Sequence, residues 1–300
     1  MDDNYVKVLD HGFVGLVDIM GDDDAVVQAA RVSYGSGTKT VNTDRNLIRY
    51  LMRHKHTTPF EMCEVKFHIK LPIFVMRQLI RHRTAQVNEY SGRYSVMSDD
   101  FYIPELDDIK KQSTTNAQGR GEEFSKEAKE RTQNFMETVH NQAHDTYHRF
   151  LKEDMARETA RAVLPVSNYT EAYWKCNMKN FLHMIHLRAD PHAQWEIQEY
   201  AKKMYDLVKP KFPIICEAWE DYARDAITFS GPEMKFIRDY VIGDFRDNWE
   251  NYLIDTYYED VGESLPEAEK KLCSEYGLSK RELNELKEKL DGGNIVYDAL

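Results

Sequence analysis

Cysteine is scarce in this chain of 300 residues, and its four copies stand far apart. Cys63, Cys176, Cys216 and Cys273 form no Cys-x-x-Cys pair, so the sequence predicts neither a disulfide framework nor a zinc knuckle. None has an activating partner close by in the sequence, and we interpret all four as small buried apolar side chains. A thiol nucleophile is therefore not expected.

Long apolar runs are absent as well. No stretch approaches the roughly 20 apolar residues that a membrane helix needs. Residues 1–13 have neither the basic start nor the apolar run of a secretion signal. We therefore expect a cytoplasmic protein with no membrane partner.

Basic residues are fewer than acidic ones. The chain has 40 Lys and Arg against 51 Asp and Glu, which gives a net charge of −11. Such a surface repels nucleic acid over most of its area, so an anion must bind at a local basic site. Residues 231–300 hold 17 acidic and 9 basic residues and carry −8 of that charge. The acidic tail therefore differs in character from the rest of the chain.

Apolar periodicity predicts a mixture of strands and helices. Apolar and polar residues alternate over 65–71, as in a half-buried strand, and residues 5–9, 13–19 and 169–176 also have strand-like patterns. Spacings of three and four predict helices over 22–32, 43–53, 72–80, 124–164 and 177–187, and another beginning at Asp190-Pro191. Residues 107–121 lack any apolar period and are predicted to form a surface loop.

Basic residues gather around a Ser-Gly turn in the segment RHRTAQVNEYSGRY, residues 81–94. Its charged and turn-forming members are Arg81, His82, Arg83, Glu89, Ser91, Gly92 and Arg93. Arginine offers a planar, always charged fork of donors, and a Ser-Gly turn lets backbone N–H groups approach an anion closely. We interpret the segment as a phosphate cradle, although arginines at a helix end can also simply complement the helix dipole.

This segment resembles the signature of the flavin-dependent thymidylate synthases. The likeness continues through HKHTTPFEM at 54–62, ARAVLP at 160–165 and LRADPHAQWEIQ at 187–198, and covers roughly residues 5–225. It implies an α+β fold, an antiparallel sheet with long helices, in a single family domain over residues 1–229. Residues 230–300 would then be an acidic, mostly helical extension of unknown role.

The resemblance implies the reductive methylation of dUMP to dTMP. Methylenetetrahydrofolate would give the carbon, and FAD would pass a hydride from NADPH. The partners implied are these small molecules, with no nucleic acid and no metal, and a homotetramer whose subunits share active sites. A nucleic-acid binding module that stacks bases on Tyr90 and Tyr94, and a non-catalytic flavin or nucleotide sensor, are the alternatives.

Family positions carried over to this chain give two sets of candidate residues. The cofactor-binding set is Thr58, Arg81, His82, Arg83, Glu89, Asn177, Lys179 and His183. The substrate-binding set is Gln78, Arg81, Glu89, Ser91, Gly92, Arg93, Arg161 and Arg188. Lys179 and His183 depart from the arginine and asparagine of some relatives, and lysine cannot grip a phosphate with two parallel bonds.

Arg188 matches the position implied to be catalytic. Negative charge that develops on the uracil ring makes C5 more nucleophilic, and a fixed guanidinium stabilises that charge. No covalent enzyme nucleophile is then required, which agrees with the unremarkable cysteines.

Two further groups of residues invite a functional interpretation that we do not favour. His140, His144 and His148 recur every four residues, a spacing that can bind a metal, but the sequence specifies no additional ligand and a solvated helix face is expected. Tyr169, Tyr173 and Trp174 could stack on a flavin, but core packing is expected for them.

Overall fold

The strand predicted from alternation, β3 (Glu64–Pro72), lies at the centre of the sheet in the computed structural model. Val65, Phe67, Ile69 and Leu71 are fully buried. The structure describes residues 4–32, 44–114, 119–232 and 265–284. These belong to two compact units, Met1–Asp225 and Ala226–Leu300.

Five antiparallel strands form the main sheet of the first unit. In chain order they are β1 (Tyr5–Val8), β2 (Gly12–Met20), β3, β4 (Gln86–Glu89) and β7 (Tyr169–Asn177). Their order across the sheet is β1-β2-β3-β7-β4. Since β7 lies between β3 and β4, Asn177 is opposite Glu64, and Ala172 is opposite Glu89.

Helices pack on this sheet and complete its core. They are α1 (Asp23–Val32), α2 (Asp44–Arg53), α3 (Ile73–Leu79), α4 (Lys126–Lys152), α5 (Arg157–Ala160), α6 (Met178–Arg188), α7 (Trp195–Val208) and α8 (Pro213–Trp219). One apolar cluster unites the buried face of the sheet with residues of α1, α6, α7 and α8. The predicted α+β fold with an antiparallel sheet is thus confirmed. Thr43, the cap predicted for α2, lies outside the described residues.

Helix α6 is fixed at its start by a cap and along its length by burial. The Asn177 side chain accepts a hydrogen bond from the Asn180 backbone N–H at 3.0 Å, as a capping residue does. The Phe181 ring stacks on Phe67 with the centroids 5.7 Å apart, and both rings are fully buried. The helix therefore holds its last residue, Arg188, in a defined place.

The prediction of one continuous helix over 124–164 was wrong. Helix α4 ends at Lys152, because Asp154 adopts a left-handed backbone with φ of 56°, and the chain restarts as α5 at Arg157. Arg157 and Arg161 therefore do not share a face of one long helix.

The loop predicted over 107–121 was also wrong in part. Strands β5 (Lys110–Gln112) and β6 (Arg120–Glu123) form a hairpin there, while residues 115–118 lie outside the described residues. Its cross-strand ion pairs, Lys110 to Glu123 and Lys111 to Glu122, join exposed polar residues. Such a hairpin has no apolar period for the sequence to reveal.

The start predicted for α7 was misplaced. The Asp190 carboxylate accepts a hydrogen bond from the His192 backbone N–H at 2.7 Å within a turn, and the helix begins only at Trp195 after Gln194. Asp190 thus stabilises the approach to the helix rather than the helix itself.

The second unit contains a helix, α9 (Leu265–Glu275). The rest of the predicted helical extension, apart from 230–232 and 276–284, lies outside the described residues. Among the helices of the described ranges, none is both long and apolar enough to cross a membrane.

Candidate active site

Arg188 meets His82 where the ends of two helices converge. The Arg188 Nε–H donates a hydrogen bond to His82 Nε2 at 2.9 Å. Because a ring nitrogen that accepts a hydrogen bond cannot carry a proton, His82 is neutral and its proton is on Nδ1. The contact joins the end of α6 to the segment that follows α3.

The surroundings of His82 keep it neutral. Burial lowers its pKa to about 4, and repulsion from the positive charge of Arg188, and from His183 when that ring is protonated, contributes. The His183 ring lies edge-on to it with the centroids 6.3 Å apart. Burial lowers the pKa of His183 as well, assisted by Lys179 and His186, so at neutral pH the fixed charge of this cluster is the Arg188 guanidinium.

A cleft of about 570 Å³ opens beside this cluster. Its walls include three of the candidate substrate residues, Gln78, Arg81 and Arg188, together with Arg77 and Asp190. Three arginines face a single carboxylate there, and the net positive charge suits an anionic ligand.

A chain of hydrogen bonds holds Gln78 at the wall of the cleft. Gln78 Nε2 donates to Gln194 Oε1 at 2.5 Å, and Gln194 Nε2 donates to Glu196 Oε2 at 2.9 Å. The other oxygen of Glu196 accepts from Arg120 at 2.5 Å and from Tyr102 at 3.2 Å. Glu196 is 4% exposed, so a buried carboxylate links the hairpin to the cleft.

No local pattern in the sequence predicts this chain of contacts. Gln194 and Glu196 lie inside the LRADPHAQWEIQ segment at 187–198. The resemblance includes this segment but assigns no role to these two residues. Arg120 lies in the hairpin that was predicted to be a surface loop, and no local pattern in the sequence connects it to α7.

The Ser91-Gly92-Arg93 turn brings Arg161 alongside it. Gly92 is buried, and a Cβ placed on it would lie 2.6 Å from Met97 Sδ and 3.2 Å from Arg161 Cδ. A side chain at this position would force Met97 and Arg161 to shift. The turn and Arg161 are distant in the sequence but neighbours in the structure. Two elements that bind one ligand must be close in this way.

Two other members of the predicted sets near this turn have partners within the chain. Glu89, at the end of β4, accepts a hydrogen bond from Thr170 Oγ1 at 2.9 Å. Arg93 Nε lies 3.3 Å from Glu158 Oε2, and both side chains are more than half exposed. Solvent weakens such a surface ion pair, so a phosphate can displace Glu158 from Arg93.

Three of the remaining predicted cofactor residues are exposed. Thr58 begins a short 3-10 turn and is exposed, and Lys179 is exposed in the first turn of α6. Arg83 is exposed just after the end of α3. Asn177 acts as the helix cap described above, which is a structural role in its own right.

The candidate residues fall into two groups within one chain. The first surrounds the cleft and includes Gln78, Arg81, His82 and Arg188; the second surrounds the turn at 91–93 and includes Arg161. In the part of the chain that the structure describes, no hydrogen bond or ion pair joins the groups.

Several basic side chains at or near the candidate site have no acidic partner among the described residues. Within the described residues, no carboxylate lies within ion-pair distance of Arg77, Arg81, Arg83, Arg161, Lys179 or Arg188. In a protein of net charge −11, six cations without a carboxylate partner, in three segments of the chain, are characteristic of an anion site.

Three of the four cysteines lie in surroundings that suppress the reactivity of their thiols. Cys63, Cys176 and Cys216 are buried, and burial raises the pKa of all three thiols, that of Cys63 to about 11 and that of Cys216 to about 12. A buried thiol in apolar surroundings is inert because the reactive thiolate is disfavoured. Cys273 lies in the second unit and is partly buried.

Comparison with known proteins identifies the family. The family described as "Thymidylate synthase complementing protein" matches residues 15–214. A flavin-dependent thymidylate synthase of Ehrlichia ruminantium (strain Gardel) is 51% identical over 238 residues, covering 79% of this chain and 80% of the relative. The chain belongs to the flavin-dependent thymidylate synthase family. The predicted family and the enzyme class are thereby confirmed.

A second relative of the flavin-dependent thymidylate synthase family and a solved structure are also similar to this chain. The enzyme of Rickettsia bellii (strain RML369-C) is 50% identical over 252 residues, covering 80% of this chain and 86% of the relative. Among solved structures, the UMP/dUMP methylase PolB from Streptomyces cacaoi bound with 5-Br UMP matches with a TM-score of 0.67 and 34% identity. That match covers 73% of this chain and 98% of the methylase. Family membership favours an enzyme over the nucleic-acid binding module.

The aromatic residues of β7 divide between two environments. Tyr169 and Trp174 are buried in the core as expected, at 1% and 0% exposure. Tyr173 is 44% exposed and stacks on His68 on the open face of the sheet, so core packing was the wrong expectation for it.

Proposed function

We propose that this protein converts dUMP to dTMP by reductive methylation. Methylenetetrahydrofolate is the carbon donor, and NADPH is the reductant. The observation that carries the proposal is Arg188, an unpaired cation that neutral His82 holds at the wall of a basic cleft. The family and the structural match to a methylase bound with 5-Br dUMP, at a TM-score of 0.66 and 33% identity, support it.

The nucleotide is proposed to contact both groups of candidate residues. Ser91, Gly92 and Arg93 take the phosphate with backbone N–H and guanidinium donors, and Arg161 adds its charge from the side of the turn. Gln78 and Arg81 orient the nucleotide in the cleft. Glu89 is proposed to bind a donor group on the sugar or the base while Thr170 holds its carboxylate.

Arg188 is proposed to favour the electron-rich form of the pyrimidine. A guanidinium beside the ring oxygens and N3 stabilises the negative charge that makes C5 nucleophilic. His82 fixes the orientation of that guanidinium by accepting from its Nε–H, so little reorganisation is needed during the reaction. The inert buried thiols fit a mechanism without a covalent enzyme nucleophile.

The residues around His82 fit a bound flavin. The His82 ring accepts through Nε2 and keeps a donor on Nδ1, and unpaired Arg81, Arg83 and Lys179 can neutralise a diphosphate. Thr58, Glu89, Asn177 and His183 complete the proposed FAD set. When bound, FAD would supply the hydride that reduces the transferred carbon to a methyl group.

A homotetramer with shared active sites is proposed as the working form. Among the described residues of one chain, no hydrogen bond or ion pair joins the two groups of site residues, which suits a site completed by a second copy. The catalytic domain is proposed to span residues 1–229, with 230–300 as an acidic extension of unknown role. The cytoplasmic location stays a prediction.

A turnover assay tests this function. Purified protein incubated with dUMP, methylenetetrahydrofolate and NADPH is expected to form dTMP, and FAD is expected to be required. Arg188→Ala is expected to retain FAD, measured by its visible absorbance, but to lose dTMP formation. Arg157→Ala, an arginine outside both proposed sets, serves as the matched control and is expected to keep turnover.

Three outcomes would contradict the proposal or part of it. Protein that stays colourless after incubation with FAD is not a flavoenzyme of this kind. Flavin binding without dTMP formation would instead indicate the non-catalytic sensor, and undiminished turnover of Arg188→Ala would remove that residue from the mechanism.

A further inference from the structure

One face of α4 carries His140, His144 and His148, and the prediction that solvent covers this face was wrong for His140 and His144. His140 and His144 are 5% and 6% exposed. They pack against the segment that follows the Ser-Gly turn, where Phe101 stacks on His140 with the ring centroids 4.4 Å apart. The histidines therefore contact a second element of the fold.

That second element supplies the ligand that the sequence did not specify. Asp99 Oδ1 lies 3.1 Å from His144 Nδ1 and 2.7 Å from His148 Nε2. The three atoms all lie within 4.8 Å of one another. Ligand atoms about 2.0–2.1 Å from a tetrahedral zinc are roughly 3.3 Å apart, so small side-chain shifts give this geometry.

The burial of His144 makes the arrangement specific. Its Nε2 atom is buried and has no hydrogen-bond partner, so the contact to Asp99 through Nδ1 is the polar contact that orients the ring. The other two ligands are accessible, with His148 40% and Asp99 68% exposed at the side chain. An ion can thus enter from solvent and meet a ring that is already in place.

We propose that Asp99, His144 and His148 form a binding site for a divalent transition metal of the zinc class. Two imidazoles and one carboxylate are ligands that Zn²⁺ accepts, and three protein ligands leave a fourth position for water. Ca²⁺ and Mg²⁺ prefer sites built from oxygen atoms and do not fit.

The proposed role of this metal is structural. The segment that contains Asp99 follows the proposed phosphate turn, and the backbone N–H of Met97 donates to Tyr147 of α4 at 3.1 Å. A metal ion would add a second link between this segment and α4. The proposed reaction does not pass through it, so metal binding can be tested independently of dTMP formation.

Calorimetric titration of the full chain with ZnCl₂, after treatment with a chelator, tests the site. The wild-type protein is expected to bind one ion per chain at this site. His148→Ala and Asp99→Asn are expected to weaken this binding more than about 100-fold, because loss of a ligand costs more than loss of a residue that orients one. His140→Gln, one helical turn away and not a ligand, is expected to bind like the wild type.

Cobalt substitution gives a spectroscopic measurement that does not depend on the other histidines. Co²⁺ bound with nitrogen and oxygen ligands at low coordination number is expected to produce visible absorption that His148→Ala removes and His140→Gln retains. Circular dichroism without metal checks that all variants fold. Wild-type protein without stoichiometric binding, or equal binding in both ligand variants, would show that the three residues only hydrogen-bond.

Discussion

His82 is expected to remain unprotonated when the pH falls to values at which an ordinary histidine is charged. Its pKa is about 4 instead of 6.5, because burial disfavours the imidazolium and Arg188 lies against Nε2. At pH 6 about 1% of His82 should carry a proton, whereas about three quarters of a free histidine would. This difference is large enough to measure in the intact protein.

The same shift makes stability depend on pH in a defined direction. Between pH 6.5 and about 4 the unfolded chain binds a proton at His82 and the folded chain does not, so the free energy of unfolding falls as the pH falls. The two pKa values correspond to at most roughly 3 kcal/mol, and solvent screening of a partly exposed ring reduces this to about 1–2 kcal/mol.

The assay is a pH titration of protein labelled with ¹³C at the histidine Cε1 position, followed by NMR. A His82→Gln variant assigns the His82 resonance among the 11 histidines. Arg188→Met removes a positive charge and is expected to move the midpoint upward, while burial should keep it below 6.5. If the His82 resonance has moved more than halfway to its protonated position by pH 6, the proposed hydrogen bond from Arg188 to a neutral ring is wrong.

Three further substitutions test other parts of the account. Gly92→Ala should raise the KM for dUMP roughly tenfold, about the effect of one charged hydrogen bond, because a Cβ crowds Met97 and Arg161; an unchanged KM would contradict this. Phe181→Ala should lower the free energy of unfolding in urea by about 3–5 kcal/mol, and a loss below about 1 kcal/mol would show that α6 is anchored otherwise. Glu196→Gln should raise the KM more than it lowers kcat because Gln78 loses its support, and equal losses in both would argue for a general structural effect.

Local patterns predicted the elements whose residues face one core. The alternation over 65–71 became β3 because a strand with one buried face must have a period of two. Asn177 caps α6 as predicted, since a cap depends on neighbouring residues alone. The break at Asp154 and the hairpin at 110–123 escaped prediction, because backbone strain and exposed ion pairs leave no apolar pattern.

The candidate site required contacts between distant parts of the chain. The sequence contains Arg188 and His82, but no periodicity brings residues more than 100 positions apart into hydrogen-bond distance. Their roles came from the family resemblance, and the structure added the neutral state of His82. Asp99 shows the reverse case, since the histidine spacing was visible in the sequence but the carboxylate between two of those rings was not.

The mechanism without an enzyme nucleophile is tested most directly by intact-protein mass spectrometry of samples quenched during turnover. With dUMP, methylenetetrahydrofolate, NADPH and FAD present, the polypeptide is expected to keep its unmodified mass at every time point while dTMP accumulates. A kinetically competent species heavier by the mass of the nucleotide would show a covalent bond between a side chain and the pyrimidine. Such an adduct would contradict activation by Arg188 alone.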